Sequence, residues 1–427
     1  MAAPRTNDFA RFWLASAVSN LGDGIRLAAF PLLAVTLTDD ARLVAGTTAF
    51  SFLPWVLVGP LAGAIVDRRD RRSLMLVGQL ARGLAVAVLA AAVAADRASI
   101  GLLYLTALVV SVGETLVDSA SQAAIPQLVD DGRLEVANGR MNVAENLFND
   151  VIGIALGAVL FSHAASAPFA VDALTFVGGA ALLATVRRPL QGVRTSTGTL
   201  RSEIREGFCF LRHHPLLRGL AASVALTNVA LHMGLAVLVL LVVKDLGASE
   251  ATYGTVVAIG ATGGVLGSLV AGGLARRLTP RRLLMVVHAP FVLAAAITAA
   301  APSWWIVSIG FGLSSFALVV YQVPSRALRQ RATPDRLLGR VVSVFRTFGL
   351  GGPVVGAPIG GVVAEAFGVR WAFAASTGVM AVAWAVTVVA VARSTDEAAV
   401  TTARCSPAGA RERSITSDAL PEVLSAS

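Results

Sequence analysis

The chain has 427 residues, of which 56% are hydrophobic and only 14% charged, with a mean hydropathy of +0.72. Soluble proteins carry roughly 25% charged residues, so a water-soluble fold is excluded and lipid is the solvent that fits. The formal charge of +9 does not mark a nucleic-acid binder, because the basic residues sit in short loops between apolar runs and form no contiguous face.

Met1 to Asn7 is polar and short, and the apolar run after it is too long for a cleaved signal, so it reads as a retained membrane helix. A span needs about 20 mostly apolar residues. The sequence predicts twelve, at roughly 10–37, 44–66, 73–95, 99–125, 140–162, 167–187, 216–243, 251–275, 283–301, 303–325, 340–364 and 368–392. The fifth is the most polar and is retained because the gap has the right length and its polar residues share one face. Alternate loops hold the arginines: Arg68, Arg69, Arg71 and Arg72; Arg133; Arg187 to Arg212; Arg276 to Arg282; Arg326 to Arg336. The other loops hold Arg42, Arg97, Lys244 and Arg370. The positive-inside rule then predicts a multi-pass protein of the plasma membrane with both termini cytoplasmic.

Residues 1–187 read as one six-helix bundle and 216–393 as another. Between them, 188–215 is a cytoplasmic linker whose stretch Leu200–Leu211 is amphipathic and suits the membrane surface. Residues 394–427 are polar, without apolar periodicity, and read as a disordered tail. Cys209 and Cys405 both fall on the cytoplasmic side, where a disulfide is not expected, and neither has metal-ligand company. The sequence contains no P-loop, no Gly-x-Ser-x-Gly elbow and no His/Cys cluster. The expectation is a non-enzyme without cofactor, not driven by ATP.

The halves repeat each other. Gly59-x-x-x-Gly63-x-x-x-Asp67-Arg68-Arg69 before Arg71-Arg72 matches Gly267-x-x-x-Ala271-x-x-x-Ala275-Arg276-Arg277 before Arg281-Arg282. Gln122 to Gly139-Arg140 likewise matches Gln322 to Gly339-Arg340. The first of these runs resembles the loop motif between helices two and three of the major facilitator superfamily. The tract Gly351-Gly352-Pro353 to Gly360-Gly361 is similar to that superfamily's antiporter Gly/Pro motif. Gly22-Asp23-Gly24 with Pro31, Asp172-Ala-Leu-Thr-Phe176 and Thr333-Pro-Asp-Arg-Leu-Leu-Gly-Arg340 resemble the branch of macrolide-efflux proteins and the enterobactin exporter. Ala275 departs from the pattern, since it replaces the acid in the second-half loop.

The resemblance implies an all-α membrane protein of two pseudo-symmetric six-helix bundles, with the substrate site between them near mid-membrane. It implies a monomer that exports a small amphiphilic molecule (a drug, antibiotic or siderophore-like compound) with protons as coupling ion. Import, facilitated diffusion or lysolipid flipping by the same fold, or a sensor signalling through the tail, are the alternatives. The resemblance also implies that helices one, four, seven and ten line the cavity.

A charge near mid-membrane costs about 2.5–3.5 kcal/mol on insertion scales and so marks a functional candidate. Asp23 and Arg26 are three apart on helix one; Glu114 and Asp118 are four apart on helix four. They suit proton coupling, or else Arg26 neutralises an acid and locks the helices. On helix five, Asn142, Glu145, Asn146, Asn149 and Gly153 form one stripe at helical spacing; it either lines the cavity or makes interhelical hydrogen bonds. Arg346, the repeat counterpart of Asn146, is a counter-charge across the cavity. Gly59, Gly63, Asp67, Arg68, Arg71 and Arg72 read as a conformational latch, with Asp67 seated at the amino end of helix eleven in the outward-facing state. The glycines and prolines of 351–361 suit tight packing and bending of helix eleven. His232 reads as a polar packing residue or a titrating group. Arg82 and Asp172 fall on helices that are peripheral in such a fold and have no assigned role.

Overall fold

The computed structural model describes residues 6–191 and 200–393; the tail 394–427 and its Cys405 lie outside the described residues. These residues are helical, with no strand among them. We label the spans α1 (Thr6–Leu37), α2 (Ala41–Leu57 continued by Gly59–Arg68), α3 (Arg71–Ala94), α4 (Ile100–Leu128), α5 (Leu134–His163) and α6 (Ala167–Ala184). After a linker helix (Leu200–His213) follow α7 (Pro215–Asp245), α8 (Glu250–Arg277), α9 (Pro280–Ala300), α10 (Trp304–Ala332), α11 (Asp335–Phe367) and α12 (Val369–Arg393). Counting the bent α2 as one span gives twelve. Leu80, Leu84, Leu174, Leu269 and Trp371 are exposed, as a protein solvated by acyl chains requires.

Where the helices depart from straight α geometry, the sequence supplies the reason. α2 bends by 43° at Val58, two residues before Pro60, whose ring and missing N–H interrupt the helical ladder. Asp40 caps α2 by accepting from the Arg42 N–H at 2.8 Å, and the Arg42 guanidinium holds its carboxyl down at about 2. That cap is therefore ionised at any physiological pH. In α5, residues Glu145–Gly153 wind as a π-helix, so each turn takes in more residues than an α turn.

Helices α1–α6 pack among themselves, α7–α12 likewise, and the two sets meet along α2–α11 and α5–α8. The face with the amino end of α1 is here the terminal face, the other the far face. Towards the far face, one apolar core runs across both sets, from Ala28–Val35 and Val44 through Val237–Val242 to Ala357 and Ala364. Towards the terminal face there are two separate cores, one around Phe9, Met75 and Leu128 and one around Leu217, Leu284 and Phe345. The sets are thus joined at the far face and parted at the terminal one.

The far-side junction is tight. Gly361 of α11 sits so close to α2 that a Cβ there would lie 2.8 Å from Ala45 Cβ and 3.0 Å from Ala41 O. One turn on, Glu365 Oε2 accepts from the Ala41 N–H at 2.8 Å, and Lys244 pairs with Asp39 at 2.9 Å. Gly352, Gly356 and Gly360 pack against Asn228, Val229 and Met233 of α7, so the Gly/Pro tract serves close packing within the second set.

The linker helix packs against the second set. Its Phe210 and Leu211 enter the second core, and Glu206 pairs with Arg340 and, at 3.6 Å, with Arg336 at the start of α11. Phe208 on the same helix remains exposed.

Candidate functional site

A cavity of about 770 Å³ lies between the two sets in the terminal half. α1 supplies Ser16, Asn20, Asp23 and Arg26, α4 supplies Glu114, Asp118 and Gln122, and α5 supplies Asn138, Asn142, Glu145 and Asn149. α2 adds Ser51, Phe52 and Trp55, and α11 adds Arg346 and Leu350. The lining draws nothing from α7 or α10, which corrects the expectation that those helices would share it.

The π-helical turn also corrects the helix-five stripe. Asn142, Glu145 and Asn149 reach the cavity, whereas Asn146 is exposed and outside the lining. The wider turn carries Asn146 past the face that α geometry would give it. Arg346 reaches the cavity and stacks over the Trp55 ring, 5.5 Å from its centroid, joining α11 to α2 by a cation–π contact. His232 makes an edge contact with Phe52 at 5.5 Å and bonds to Asn228 O through Nδ1, which is a packing role.

Behind the cavity the charges form one network. Arg26 lies 2.6 Å from Asp23, 3.4 Å from Glu114 and 3.5 Å from Asp172. Arg82 pairs with Asp23, reaches to 4.0 Å from Glu114, and lies over the Phe176 ring at 4.2 Å. Gln79 joins it through Arg82 at 3.3 Å and Ser19 at 3.1 Å. Arg82 and Asp172 are therefore central, although they were expected on peripheral helices. α6 packs directly on α1, which brings Asp172 to Arg26, and α3 packs on α4 and α6, from where the long Arg82 side chain reaches Asp23. Asp23, Arg26, Arg82 and Asp172 are at most 6% exposed, while the Glu114 side chain is 27% exposed to the cavity.

Small residues make room for this network. A Cβ at Gly22 would strike Asp172 Oδ1 and Thr175 Oγ1, one at Gly24 would strike Asn149 O, and one at Gly113 would lie 2.7 Å from Arg82 Cγ. Gly22 and Gly24 thus fit α1 against α6 and α5 around Asp23. Three carboxylates (Asp23, Glu114, Asp172) share two guanidiniums, and Asp118, one turn from Glu114 and half-buried, has no ion pair among the described residues.

The latch residues separate into two groups. Arg71 is buried and donates to Ala123 O at 2.8 Å and Leu190 O at 3.1 Å, and Arg72 donates to Ala184 O. Both tie the α2–α3 turn to α4 and α6 and do not reach α11. Gly63 faces open space, Gly59 touches only Thr115 at 3.9 Å, and Arg68 is exposed. Asp67 is 51% exposed and lies 3.9 Å from Arg71.

Two features escaped the reading of the sequence. Ser223 (α7), His288 (α9), Tyr321 (α10) and Thr387 (α12) form a buried neutral cluster, with Ser223 Oγ 2.6 Å from Thr387 and 3.4 Å from His288 Nε2. They sit on the repeat partners of α1, α3, α4 and α6, so the repeat was the signal for them. Second, Gly59-Pro-Leu-Ala-Gly63-Ala-Ile-Val-Asp67 recurs as Ala357-Pro-Ile-Gly-Gly361-Val-Val-Ala-Glu365, at the opposite end of the partner helix.

Comparison with known proteins agrees with this architecture. The profile of the family described as transmembrane secretion effector matches residues 1–418. The chain is 26% identical over 375 residues (83% of this chain, 86% of the relative) to an uncharacterised major facilitator-type transporter of Bacillus subtilis (strain 168). It is 23% identical to macrolide efflux protein A of Streptococcus pyogenes (79% and 84% covered) and 25% identical to the enterobactin exporter of Salmonella typhi (77% and 75% covered). A bacterial homologue of the iron transporter ferroportin, crystallised in an inward-facing state, has the same fold, with TM-score 0.72 and 16% identity over 91% of this chain and 99% of that one. Twelve helices in two sets, a polar cavity between them and a family match over nearly the whole length make one statement: the chain is a major facilitator transporter of the transmembrane secretion effector family.

Proposed function

We propose that the protein exports a small amphiphilic molecule by alternating access, coupled to protons. One observation carries the coupling: the cavity and its rear wall hold more carboxylates than guanidiniums. Membrane interiors penalise unpaired charge, so the surplus acid is balanced by a mobile cation, and the proton is the smallest. The lining supports the amphiphile: Phe52, Trp55 and Leu350 offer apolar contact, while Asn20, Gln122 and Asn142 offer hydrogen bonds. Relatives named for macrolide efflux and enterobactin export favour the outward direction. The arginine-rich loops put the terminal face in the cytoplasm, in the plasma membrane, and the conformation described is then open to the cytoplasm. We assign 1–187 and 216–393 as the two rocking bodies, joined by 188–215, in a monomer without cofactor. Moving one charge through 100 mV supplies about 2.3 kcal/mol for uphill export.

The gate follows from the mirrored motif. With the cavity open to the cytoplasm, Gly361 and Glu365 hold α11 to the start of α2, while Gly63 faces open space and Asp67 lies beside Arg71. When the cavity opens outward, Gly63 and Asp67 take the equivalent seat on the start of α11, where a helix amino end favours an acid, and the Gly361–Glu365 contact breaks.

The coupling is tested in proteoliposomes with an imposed pH gradient. A macrolide or ethidium is expected to move against its concentration only while the gradient lasts, and movement indifferent to the gradient would replace this reading with facilitated diffusion. Gly361→Val tests the gate. Overpacking costs about 1–3 kcal/mol, enough to shift a two-state balance by roughly 5–150-fold. The variant is expected to raise labelling of a Ser51→Cys probe from the outer side; unchanged labelling would remove Gly361 from the gate.

A further inference from the structure

Asp172 is fully buried and does not line the cavity. Its Oδ2 lies 3.5 Å from Arg26 Nε, and neither atom has a hydrogen-bond partner. Buried polar atoms are normally paired, and leaving them unpaired is costly. Here a donor and an acceptor, both unpaired, face each other at the outer limit of bonding distance. The other end of the same guanidinium is engaged elsewhere, with Nη2 on Asp23 at 2.6 Å and near Glu114 at 3.4 Å. A small rotation of Arg26 therefore trades the Glu114 contact for a charge-assisted bond to Asp172. The α1–α6 spacing is set to admit this carboxylate, since any side chain at Gly22 would strike it.

We propose that Asp172 is a positioning residue, the reserve counter-ion of Arg26. When a proton binds a Glu114 oxygen and cancels its charge, Arg26 turns its Nε onto Asp172 and stays buried instead of swinging into the cavity. When the proton leaves, Arg26 returns to Glu114. The handover keeps the guanidinium compensated in both states, and it rests on the proton-coupled reading above. The charged groups around the pair are Asp23 from α1, Arg82 from α3, and Glu114 and Asp118 from α4, with Glu145 of α5 and Arg346 of α11 across the cavity; the lining of α2 is uncharged.

The test uses the full chain in lipid nanodiscs, with the proton itself as probe. Trp55 lines the same cavity, and its fluorescence, isolated by difference from Trp55→Phe, reports titration there. The wild type is expected to show a titration transition of this fluorescence. In Asp172→Asn the undivided Arg26 and the lost negative neighbour both make protonation of the cavity harder, so the midpoint moves to lower pH by about one unit. Equal midpoints in the two proteins overturn the role of Asp172 and leave proton coupling intact; no transition in the wild type overturns both. Should Asp172→Asn fail to assemble, Arg26→Gln is compared with Arg26→Gln/Asp172→Asn, in which no unpaired guanidinium remains at position 26. A displacement clearly smaller than in the Arg26-containing pair is expected there, because only the lost negative neighbour remains once the guanidinium is gone, and a displacement of the full unit overturns the proposal.

Discussion

Replacing Glu114 by glutamine is expected to give an assembled transporter that no longer exploits a pH gradient. Glu114 is the network carboxylate open to the cavity, with a side chain 27% exposed and contacts to Arg26 and Arg82 no shorter than 3.4 Å. The isosteric amide removes the protonation site while both arginines keep Asp23. Gradient-driven efflux of ethidium or a macrolide from proteoliposomes should fall to the level of protein-free liposomes. Exchange of the same compound down its own gradient should persist. A Glu114→Gln protein that still concentrates substrate against its gradient would move the coupling site to Asp118, one turn away on the same face.

Asp23 is expected to behave differently, although it lies three residues from Arg26 and lines the same cavity. It holds both arginines, with Arg26 at 2.6 Å and Arg82 in a closer pair, and all three are nearly sealed from solvent. Removing one partner from a buried ion pair costs about 3–5 kcal/mol, because the remaining charge stays buried and unpaired. Asp23→Asn should therefore lose assembly: less monodisperse protein after detergent extraction and a lowered thermal transition. The double variant Asp23→Asn/Arg82→Gln, which removes a charge of each sign, should recover much of that stability without recovering coupled transport. An Asp23→Asn protein as stable as wild type would show that the arginines find other partners. Loss of transport in Asp23→Asn alone does not identify a proton carrier, whereas loss in Glu114→Gln does.

The span count and the two-set arrangement were legible because hydropathy and loop arginines are local properties of the chain. The side chains that meet were less so. Intramembrane charges such as Arg82 and Asp172 stood out by cost, but their partners depend on which helices are neighbours and how far a guanidinium reaches. Gly22 and Gly113 were the traces of those partners, as missing side chains opposite Asp172 and Arg82. Asn146 was misplaced because the hydrogen bonding of Glu145–Gly153 differs from an α-helix, and no pattern of apolar residues announces that change. The neutral cluster around His288 escaped because hydroxyls among apolar residues carry no conspicuous penalty. The latch was read as a single unit, yet Arg71 and Arg72 are anchors within the first set, while Gly63 faces open space.

The single apolar core at the far face bears on the energetics of the host cell. A resting transporter with a wet, acid-lined vestibule is a potential short circuit, since each proton slipping through without cargo dissipates the gradient that the cell maintains at metabolic expense. Between the Arg26 layer and the far surface, the chain interposes Ala29, Leu32, Leu33, Val237, Leu241 and Ala357, none of which can relay a proton. On the proton-coupled reading proposed above, insulation of this kind lets an idle transporter be expressed at high copy without draining its own power supply.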